Sequence, residues 1–495
     1  MRITLELRAA AALAFALGLD AVAASPPPQQ GLALSACEIE HPLLHTVVAA
    51  ECGALSVAEN PRDPAGRHIA LAVARVPAIS RRKQPDPLFI LAGGPGQAAS
   101  DFYTTAAGAF TRIHRERDII LLDQRGTGRS NRLDCPEDEE HLYHASGAEI
   151  AAATRRCLGE LRAHADVAWY TTSVAVEDLE RVRASLGLGR INLYGTSYGT
   201  RVAQQYLRRF PDRVRSVMLD GVVPPQLAMG AELPEDAERA LLDVLGRCAA
   251  QPPCRSRFGD PVRAYRSVRA ALARRAVPVS VPDPSTGAPQ RFDFGTEQLA
   301  TVLRLGSYSA DYAALLPLLL DEAASRGDYA PLGAQFLLVE RSYAEGLATG
   351  MHNSVVCAED VPFYGAAGID RARLADTLLG TVQLDALETV CGIWPHGPVD
   401  PEFHAPLVSE VPALLLSGGD DPVTPPAFAE MAARGFRHHL SIVLPGFGHG
   451  ALTAPCIDRV MAQFLARASS EGLDVGCTRA AEPPPFFTSL NGPSP

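Results

Sequence analysis

Short apolar runs alternate along this chain with segments in which apolar residues recur every three or four positions. Runs of the first kind are typical of buried strands, and the second spacing is typical of amphipathic helices. Six of the runs end in turns rich in glycine and aspartate, as parallel strands do when helices connect them. These predicted strands are "PLFILAGGPG" from Pro87, "DIILLDQRGTG" from Asp118, "INLYGTSYG" from Ile191, "RSVMLDGVV" from Arg215, "PALLLSGGDD" from Pro412 and "LSIVLPGFGHG" from Leu440. The pattern predicts an α/β protein with a mostly parallel central sheet and helices on both faces.

The rest of the pattern indicates how this sheet is extended and interrupted. "HIALAVARVPA", from His68, predicts an antiparallel edge strand, and "SVAVEDLERVRASLGLG", from Ser173, predicts a helix that stops near Gly187. Between about Pro225 and Pro406 the chain becomes rich in helical patterns and lacks turns that follow strands. An insertion between two strands of one sheet, placed over the carboxyl ends of the strands, predicts a helical cap.

The chain has 495 residues, which is too long for one ordinary core. The length predicts one large domain with a sizeable insertion, or two domains, and the break in the strand pattern favours the insertion. The predicted division is a signal peptide over 1–24, a first part of the core over 25–225, a helical cap over 226–405, and a C-terminal part of the core over 406–495.

The N-terminus has the pattern of an export signal. Arg2 and Arg8 precede the apolar run "AAAALAFALGL", and "AVAAS" offers cleavage after Ala23 or Ala24. The apolar run is too short to span a bilayer comfortably, and no later segment has the length and purity of a membrane helix. These features predict an exported protein, either periplasmic or extracellular, that does not insert into the membrane.

Cysteine usage agrees with export. The chain has ten cysteines and no C-x-x-C pair, which excludes the usual zinc and thioredoxin patterns. An even count in an exported chain favours disulfides, and free buried cysteines are the alternative. Because every cysteine has a neighbour close along the chain, we predict pairing in sequence order. The predicted bridges are Cys37–Cys52, Cys135–Cys157, Cys248–Cys254, Cys357–Cys391 and Cys456–Cys477.

The composition narrows the possible partners. Hydrophobic residues make up 47% of the chain and charged residues 20%, which are globular values. The formal net charge of −11 argues against nucleic acid and anionic membrane surfaces as partners. It is compatible with a cationic or amine-bearing substrate.

The stretch "INLYGTSYGT" holds Ser197 between glycines, after a predicted strand and before a predicted helix. That is the pattern of a nucleophile elbow, in which the glycines let the backbone crowd and expose the serine hydroxyl. A glycine-rich turn without chemistry is the alternative. A phosphate-binding loop is disfavoured because neither the Gly-Lys-Ser/Thr nor the G-x-G-x-x-G pattern is present.

A serine nucleophile needs a base and an acid, which follow it in the order serine, acid, histidine in one family of hydrolases. Asp421 lies in the loop after a predicted strand, and we favour it over Asp420, which we expect to be a solvated turn residue. His449 lies between two glycines after the last predicted strand and is the candidate base. His438 and His439 are expected to open that strand instead.

The candidate oxyanion hole needs two N–H donors. One is the backbone N–H of Tyr198, the residue after the nucleophile. The loop "LAGGPGQ" offers the other, and we choose Gly94, with Gly93 as the next candidate. A plain glycine-proline turn is the alternative.

With these motifs in view, the chain resembles the prolyl iminopeptidase and tripeptidyl aminopeptidase family of α/β-hydrolases. The similar segments, in the order of the family, are "GGPG" from Gly93, "DQRGTGRS" from Asp123, "GTSYGT" from Gly195, "SGGDDPVTP" from Ser417 and "GFGHG" from Gly446. "SVVCAEDVPF", from Ser354, resembles the secreted tripeptidyl-aminopeptidase branch. The resemblance implies an α/β-hydrolase fold and a triad of Ser197, Asp421 and His449.

Three qualifications apply to this resemblance. Family members often have histidine before "GGPG", where this chain has Ala92. In "DQRGTGRS", Asp123 and Arg125 are expected to brace the oxyanion loop and the elbow rather than to carry chemistry. A preference for proline is not implied, because it depends on cap residues outside the shared motifs.

These features predict an exported serine exopeptidase, of aminopeptidase or tripeptidyl aminopeptidase type, acting near free N-termini. Its substrate ammonium would need carboxylates, and we predict Glu359 and Asp360 in the cap as substrate-binding residues; a solvated turn or helix cap is the alternative. The alternative function is an esterase or lipase with the same machinery, and a third is an inert binding protein. No metal or organic cofactor is implied, and the oligomeric state stays open.

Overall fold

The computed structural model of the protein describes residues 31–41, 44–135, 145–366 and 368–492. The predicted signal peptide over 1–24 lies outside the described residues. Among the helices of these ranges, none has the length and apolar character needed to cross a bilayer.

In the described ranges, nine strands form one sheet and two more form a separate hairpin. The order in the large sheet is β1-β2-β3-β5-β4-β6-β7-β10-β11. The strands are β1 Ser35–Glu40, β2 Val47–Ala58, β3 His68–Val76, β4 Leu88–Leu91, β5 Ile119–Leu122, β6 Ile191–Thr196, β7 Val214–Asp220, β8 Val277–Pro282, β9 Pro289–Phe294, β10 Ala413–Gly418 and β11 His439–Leu444.

The six predicted parallel strands are β4, β5, β6, β7, β10 and β11, and all of them pair in parallel. "HIALAVARVPA" forms β3, which is antiparallel to both of its neighbours. The expectation that it is an edge strand is wrong, because β2 and β1 extend the sheet beyond it. Those two strands lie in a segment of mixed polarity in which we predicted no strand.

Helices surround the sheet and fill the insertion. In the described ranges they are α1 Ala99–Ala106, α2 Thr111–His114, α3 Gly147–Leu161, α4 Thr172–Ser185, α5 Tyr198–Arg209, α6 Leu233–Ala250, α7 Pro252–Phe258, α8 Pro261–Arg274, α9 Thr296–Gly306, α10 Ala310–Ala313, α11 Leu316–Arg326, α12 Ala330–Gly346, α13 Thr349–Glu359, α14 Arg371–Leu374, α15 Val382–Cys391, α16 Pro426–Ala433 and α17 Ile457–Arg467.

The alternation of side chains along each strand divides the core between the two faces of the sheet. Phe89 and Leu91 of β4 pack on one face, with residues of α3, α4, α5 and α16. Leu88 and Ile90 of the same strand pack on the other face, with residues of α1, α2 and α17. Helices on both faces of a largely parallel sheet are the predicted arrangement.

The chain between β7 and β10 carries ten helices, α6 to α15, within the described ranges. It also contains the antiparallel hairpin β8–β9, which the sequence pattern did not predict. Part of this insertion has its own core, built on residues such as Leu241, Leu299 and Leu320. Helix α13 is different, because Met351 and Val355 pack into the main core under the sheet.

All ten cysteines form disulfides, and the five predicted pairs are confirmed. Each bridge closes a short loop, with sequence separations from 6 to 34 residues. Two of them, Cys248–Cys254 and Cys357–Cys391, lie within the insertion.

Candidate active site

Ser197 occupies the turn between β6 and α5. Its backbone angles are φ 53° and ψ −125°, a combination that non-glycine residues rarely adopt. The Ser197 N–H donates to the Asp220 carbonyl at 2.9 Å, at the end of the neighbouring strand β7. The strand, sharp turn and helix predicted for "INLYGTSYGT" are therefore present.

The backbone around Ser197 leaves no room for a side chain at Gly195 or at Gly199. A Cβ atom on Gly195 would lie 2.4 Å from the Gly199 carbonyl oxygen. A Cβ atom on Gly199 would lie 2.1 Å from the Leu91 carbonyl oxygen of β4. Real Cβ atoms do not approach backbone that closely, so the helix can pass over the strands only with glycine at both positions.

Asp421 and His449 meet at the carboxyl ends of β10 and β11. Asp421 Oδ2 lies 2.8 Å from His449 Nδ1. Asp421 Oδ1 accepts the N–H groups of Val423 and Thr424, each at 2.8 Å. The Thr424 hydroxyl donates to Asp421 Oδ2 at 2.8 Å and lies 3.1 Å from His449 Nδ1. These bonds fix the carboxylate and the imidazole in one orientation.

The charges of this pair support each other. Burial alone would lower the pKa of His449, but the charge and hydrogen bond of Asp421 raise it above its ordinary value. Burial would raise the pKa of Asp421, and the interactions with His449 and the nearby N–H groups lower it instead. Asp421 is therefore an ionised partner for an imidazole that gains a proton.

The end of β7 connects the serine to the histidine. Asp220 holds Ser197 through its carbonyl and accepts the Ala451 N–H at 2.8 Å through Oδ1. A Cβ atom on Gly221 would lie 3.0 Å from His449 Cε1. Ser197 and His449 thus contact the same turn. Sequence reasoning missed Asp220, although an acid at the end of the strand next to the elbow was a usable signal.

The loop "GGPG" lies against the elbow, since a Cβ atom on Gly93 would be 3.2 Å from Ser197 Cβ. The Gly93 N–H donates to Gln97 Oε1 at 3.3 Å, so it is already engaged. Tyr198 is the first residue of α5, where helix geometry leaves the backbone N–H without an intrahelical acceptor. This arrangement favours Gly94 over Gly93, and the pair of Gly94 and Tyr198 stays a prediction.

The segment "DQRGTGRS" contacts the site through Asp123, as expected, and through Gln124, which was not expected. Asp123 accepts the N–H and hydroxyl of Ser100 at 3.0 and 3.1 Å, in the helix that follows the oxyanion loop. Arg125 instead pairs with Asp178 of α4, so it does not brace the loop directly. The residue between them, Gln124, donates to the Tyr198 hydroxyl at 2.9 Å.

Asp420 is not the solvated turn residue that we expected. Its Oδ2 lies 2.8 Å from Arg247 Nη2 of α6, and its side chain is only 13% exposed. Burial raises its pKa, while the charge of Arg247 opposes that shift. The insertion therefore covers this side of the acid loop and removes Asp420 from solvent.

The placement of Glu359 and Asp360 contradicts the prediction that they bind a substrate ammonium. Both side chains are 0% exposed at the end of α13. Glu359 accepts the N–H and hydroxyl of Thr172 at 2.6 and 2.8 Å. Asp360 pairs with Arg201 at 2.8 Å and accepts the Met229 N–H at 2.7 Å. The solvated-turn alternative is wrong as well, because both acids bond to the core.

Tyr308, in the insertion, contacts His449 in two ways. The Tyr308 carbonyl accepts the backbone N–H of His449 at 2.8 Å. The Tyr308 ring lies edge-on to the imidazole, with ring centroids 5.0 Å apart. Neither contact was predicted, because the helical pattern around Tyr308 carries no sign of its distant partner.

A cleft of about 600 Å³ opens in the insertion beside the oxyanion loop. Leu347, in its wall, lies 3.2 Å from the Cβ position of Gly94, and His352 lies in the same wall. The walls include charged residues of both signs, which are Arg269, Arg304, Glu297 and Glu340. The volume is within the range of small-molecule and short-peptide sites.

Comparison with known proteins agrees with this architecture. The family model described as "alpha/beta hydrolase fold" matches residues 86–251, which contain the "GGPG" loop and the elbow. A second model, described as "TAP-like protein", matches residues 376–477, which contain Asp421 and His449. The chain has the α/β-hydrolase fold.

Several curated relatives resemble this hydrolase. The serine protease Hip1 of Mycobacterium tuberculosis (strain H37Rv) is 26% identical over 476 residues, covering 89% of this chain and 90% of the relative. A tripeptidyl aminopeptidase of Streptomyces lividans is 28% identical over 226 residues, 41% of each chain. Carboxylesterase B of M. tuberculosis (strain CDC 1551) is 27% identical over 418 residues, 76% of each chain. The hydrolase is a serine hydrolase, as the motifs predicted.

Proposed function

We propose that this hydrolase is an exported serine exopeptidase that releases single residues or short peptides from free N-termini. The observation that carries the proposal is the fixed Asp421–His449 pair beside the elbow of Ser197, with a cleft at the oxyanion loop. Relatives named as a serine protease and a tripeptidyl aminopeptidase support peptides over other acyl compounds.

The arrangement supplies each part of an acyl transfer. Ser197 Oγ attacks the scissile carbonyl while His449 accepts its proton, and Asp421 stabilises the resulting imidazolium. The carbonyl oxygen becomes an oxyanion that the N–H groups of Gly94 and Tyr198 stabilise. The C–N bond then breaks, His449 protonates the leaving amine, and water later releases the acyl group by the same steps in reverse.

The cap that we assign to residues 226–405 gives the site its selectivity for peptides. A substrate ammonium needs a carboxylate partner, and with Glu359 and Asp360 buried, the acids in the cleft wall are Glu297 and Glu340. We infer that these two acids recognise the free N-terminus. The cleft has room for more than one residue upstream of the cleaved bond.

Export is supported by the five disulfides, because such bonds persist in oxidising compartments. The N-terminal pattern around Arg2 and Arg8 supports the same conclusion. A mature protein in the periplasm or outside the cell is the corresponding proposal.

A panel of fluorogenic amides tests this function. It should contain aminoacyl, dipeptidyl and tripeptidyl amides, each with a free and an N-acetylated terminus, together with small neutral esters. We expect cleavage of free-amine amides, weak cleavage of the acetylated ones, and no cleavage of any by Ser197→Ala. Glu297→Gln and Glu340→Gln should raise KM for free-amine amides and spare the esters. Equal turnover of free and blocked amides would refute the exopeptidase proposal.

An esterase is the second candidate, because a relative whose alignment covers 76% of this chain is named carboxylesterase B. The same triad and oxyanion hole act on ester carbonyls. Cleavage of acyl esters with no cleavage of any amide in the panel would favour this alternative.

A further inference from the structure

Helix α13 contacts the oxyanion loop at its N-terminal end. The Ala348 N–H, just before the helix, donates to the Gly96 carbonyl at 3.0 Å. The Leu347 side chain packs against Gly94. A Cβ atom on Gly96 would lie 2.8 Å from the Ala348 carbonyl oxygen, so the backbones of the loop and the helix start are in close contact. Two residues of the loop, Gly94 and Gly96, are thus held from the insertion.

The C-terminal end of α13 is connected to the elbow through the side chains of Glu359 and Thr172. Glu359 Oε2 accepts the Thr172 hydroxyl at 2.8 Å, and that oxygen lies 2.6 Å from the hydroxyl of Tyr198. Gln124 completes the network from the other side of Tyr198. All of these side chains except Gln124 are fully or almost fully buried. Glu359 therefore orients the residue whose N–H is the second proposed oxyanion donor.

We infer that helix α13 holds the two oxyanion donors in register, with Leu347 and Ala348 at its start positioning the Gly94 loop and Glu359 positioning Tyr198. This inference rests on the proposed oxyanion hole. Each of these residues acts through the part of the loop or of the elbow that it holds.

The helix is suited to this role because it is itself fixed. Its Gly350 N–H donates to the Leu133 carbonyl at 2.8 Å, and Cys357 is bridged to Cys391 of α15. Eleven residues of helix extend about 16 Å, so one rigid element spans the distance between the loop and the network at Tyr198. A displacement of either donor by about 1 Å costs up to about a hundredfold in rate.

The test compares substitutions that remove these contacts with conservative ones that keep them. Leu347→Ala and Tyr198→Phe should lower kcat by about tenfold to a hundredfold with little change in KM. Leu347→Met keeps an apolar side chain against Gly94 and should recover most of kcat. The kcat of Glu359→Gln should likewise exceed that of Glu359→Ala. The losses should be similar on free-amine amides and on small neutral esters, because both form an oxyanion.

Ser354→Ala is the matched control. Ser354 lies on the same helix and accepts the Trp394 Nε1–H at 3.1 Å, away from the loop and the elbow. Its loss should lower the melting temperature and leave kcat per active site unchanged, when active sites are titrated with a fluorophosphonate. Two results would overturn the inference: a kcat loss in Ser354→Ala equal to that of Leu347→Ala, or unchanged kcat in both Leu347→Ala and Tyr198→Phe.

The ester arm separates this inference from the proposed function. If the wild-type protein cleaves esters but no amides, the exopeptidase proposal fails, while the kcat comparison on esters still decides the role of α13. If the wild-type protein cleaves free-amine amides and Leu347→Ala raises only KM, the proposed function stands and Leu347 binds substrate instead of positioning the loop.

Discussion

The buried carboxyl of Glu359 makes a quantitative prediction about how stability depends on pH. Burial raises the pKa of Glu359 from 4.5 to about 8, although the charge of Arg201 opposes the shift. The native state therefore keeps a proton that the unfolded chain releases above pH 4.5. Because the native state binds the extra proton, the free energy of unfolding must fall as the pH rises through this window.

The size of this loss of stability follows from the difference between the pKa of Glu359 in the unfolded and the native state. Each pH unit between 4.5 and about 8 removes about 1.36 kcal/mol from the free energy of unfolding, or about 5 kcal/mol in total. Asp220, with a pKa of about 6, and Asp236, with a pKa of about 7, add losses of the same sign. The wild-type profile alone thus does not isolate Glu359.

Glu359→Gln isolates it, because a glutamine side chain is neutral at every pH. We expect the stability of this variant to fall by several kcal/mol less than that of the wild type between pH 5 and pH 9. The measurement is denaturant unfolding under non-reducing conditions, followed by circular dichroism at pH steps across that range. Glu38→Gln, at an exposed position of β1, is the control and should run parallel to the wild type. Parallel profiles for Glu359→Gln and the wild type would refute a retained proton.

Three further predictions follow from the geometry. His449 must be neutral to act as a base, and its pKa is raised, so kcat/KM should fall as the pH is lowered, with a midpoint above pH 6.5. Asp421→Asn should lower the pH of that midpoint, and an unchanged midpoint would contradict the assigned pair. Gly199→Ala should be unstable and inactive, because its Cβ would lie 2.1 Å from a β4 carbonyl oxygen. Gly246→Ala is the control, because a Cβ atom there meets open space in α6, and its free energy of unfolding should rise by about 0.5–1 kcal/mol. Reduction of the five disulfides should lower the melting temperature, since a bridge typically contributes about 2–4 kcal/mol, and an unchanged melting temperature in reductant would argue against them.

Much of the fold was predictable because its signals are local. A parallel strand buried on both faces reads as a continuous apolar run, and six such runs became six parallel strands. The elbow of Ser197 and the loops of Asp421 and His449 follow such strands directly, so their position at one edge of the sheet could be inferred. The disulfides were predictable for the same reason, since each bridge closes a short loop.

The failures have a common physical cause, which is dependence on distant partners. Glu359 and Asp360 have the composition of a solvated turn, and only the fold brings Thr172 and Arg201 to them. The position of Asp220 at the end of β7 was visible in the sequence, but only the fold brings to it the N–H of Ala451, 231 positions away. The hairpin β8–β9 was missed because its strands are mostly exposed and lack the apolar runs that mark the central sheet.

These long-range contacts also constrain how a substrate reaches Ser197. Helix α13 buries Met351, Val355 and Val356 in the main core, and burial of such side chains stabilises a protein by about 1.5–3 kcal/mol each. Lifting the helix would expose these side chains together with the buried pair of Arg201 and Asp360. The cost would be comparable with the whole stability of a typical domain, about 5–15 kcal/mol. Helix α13 therefore does not swing open as a lid. The loop that α13 contacts therefore stays held by whichever route a substrate reaches Ser197.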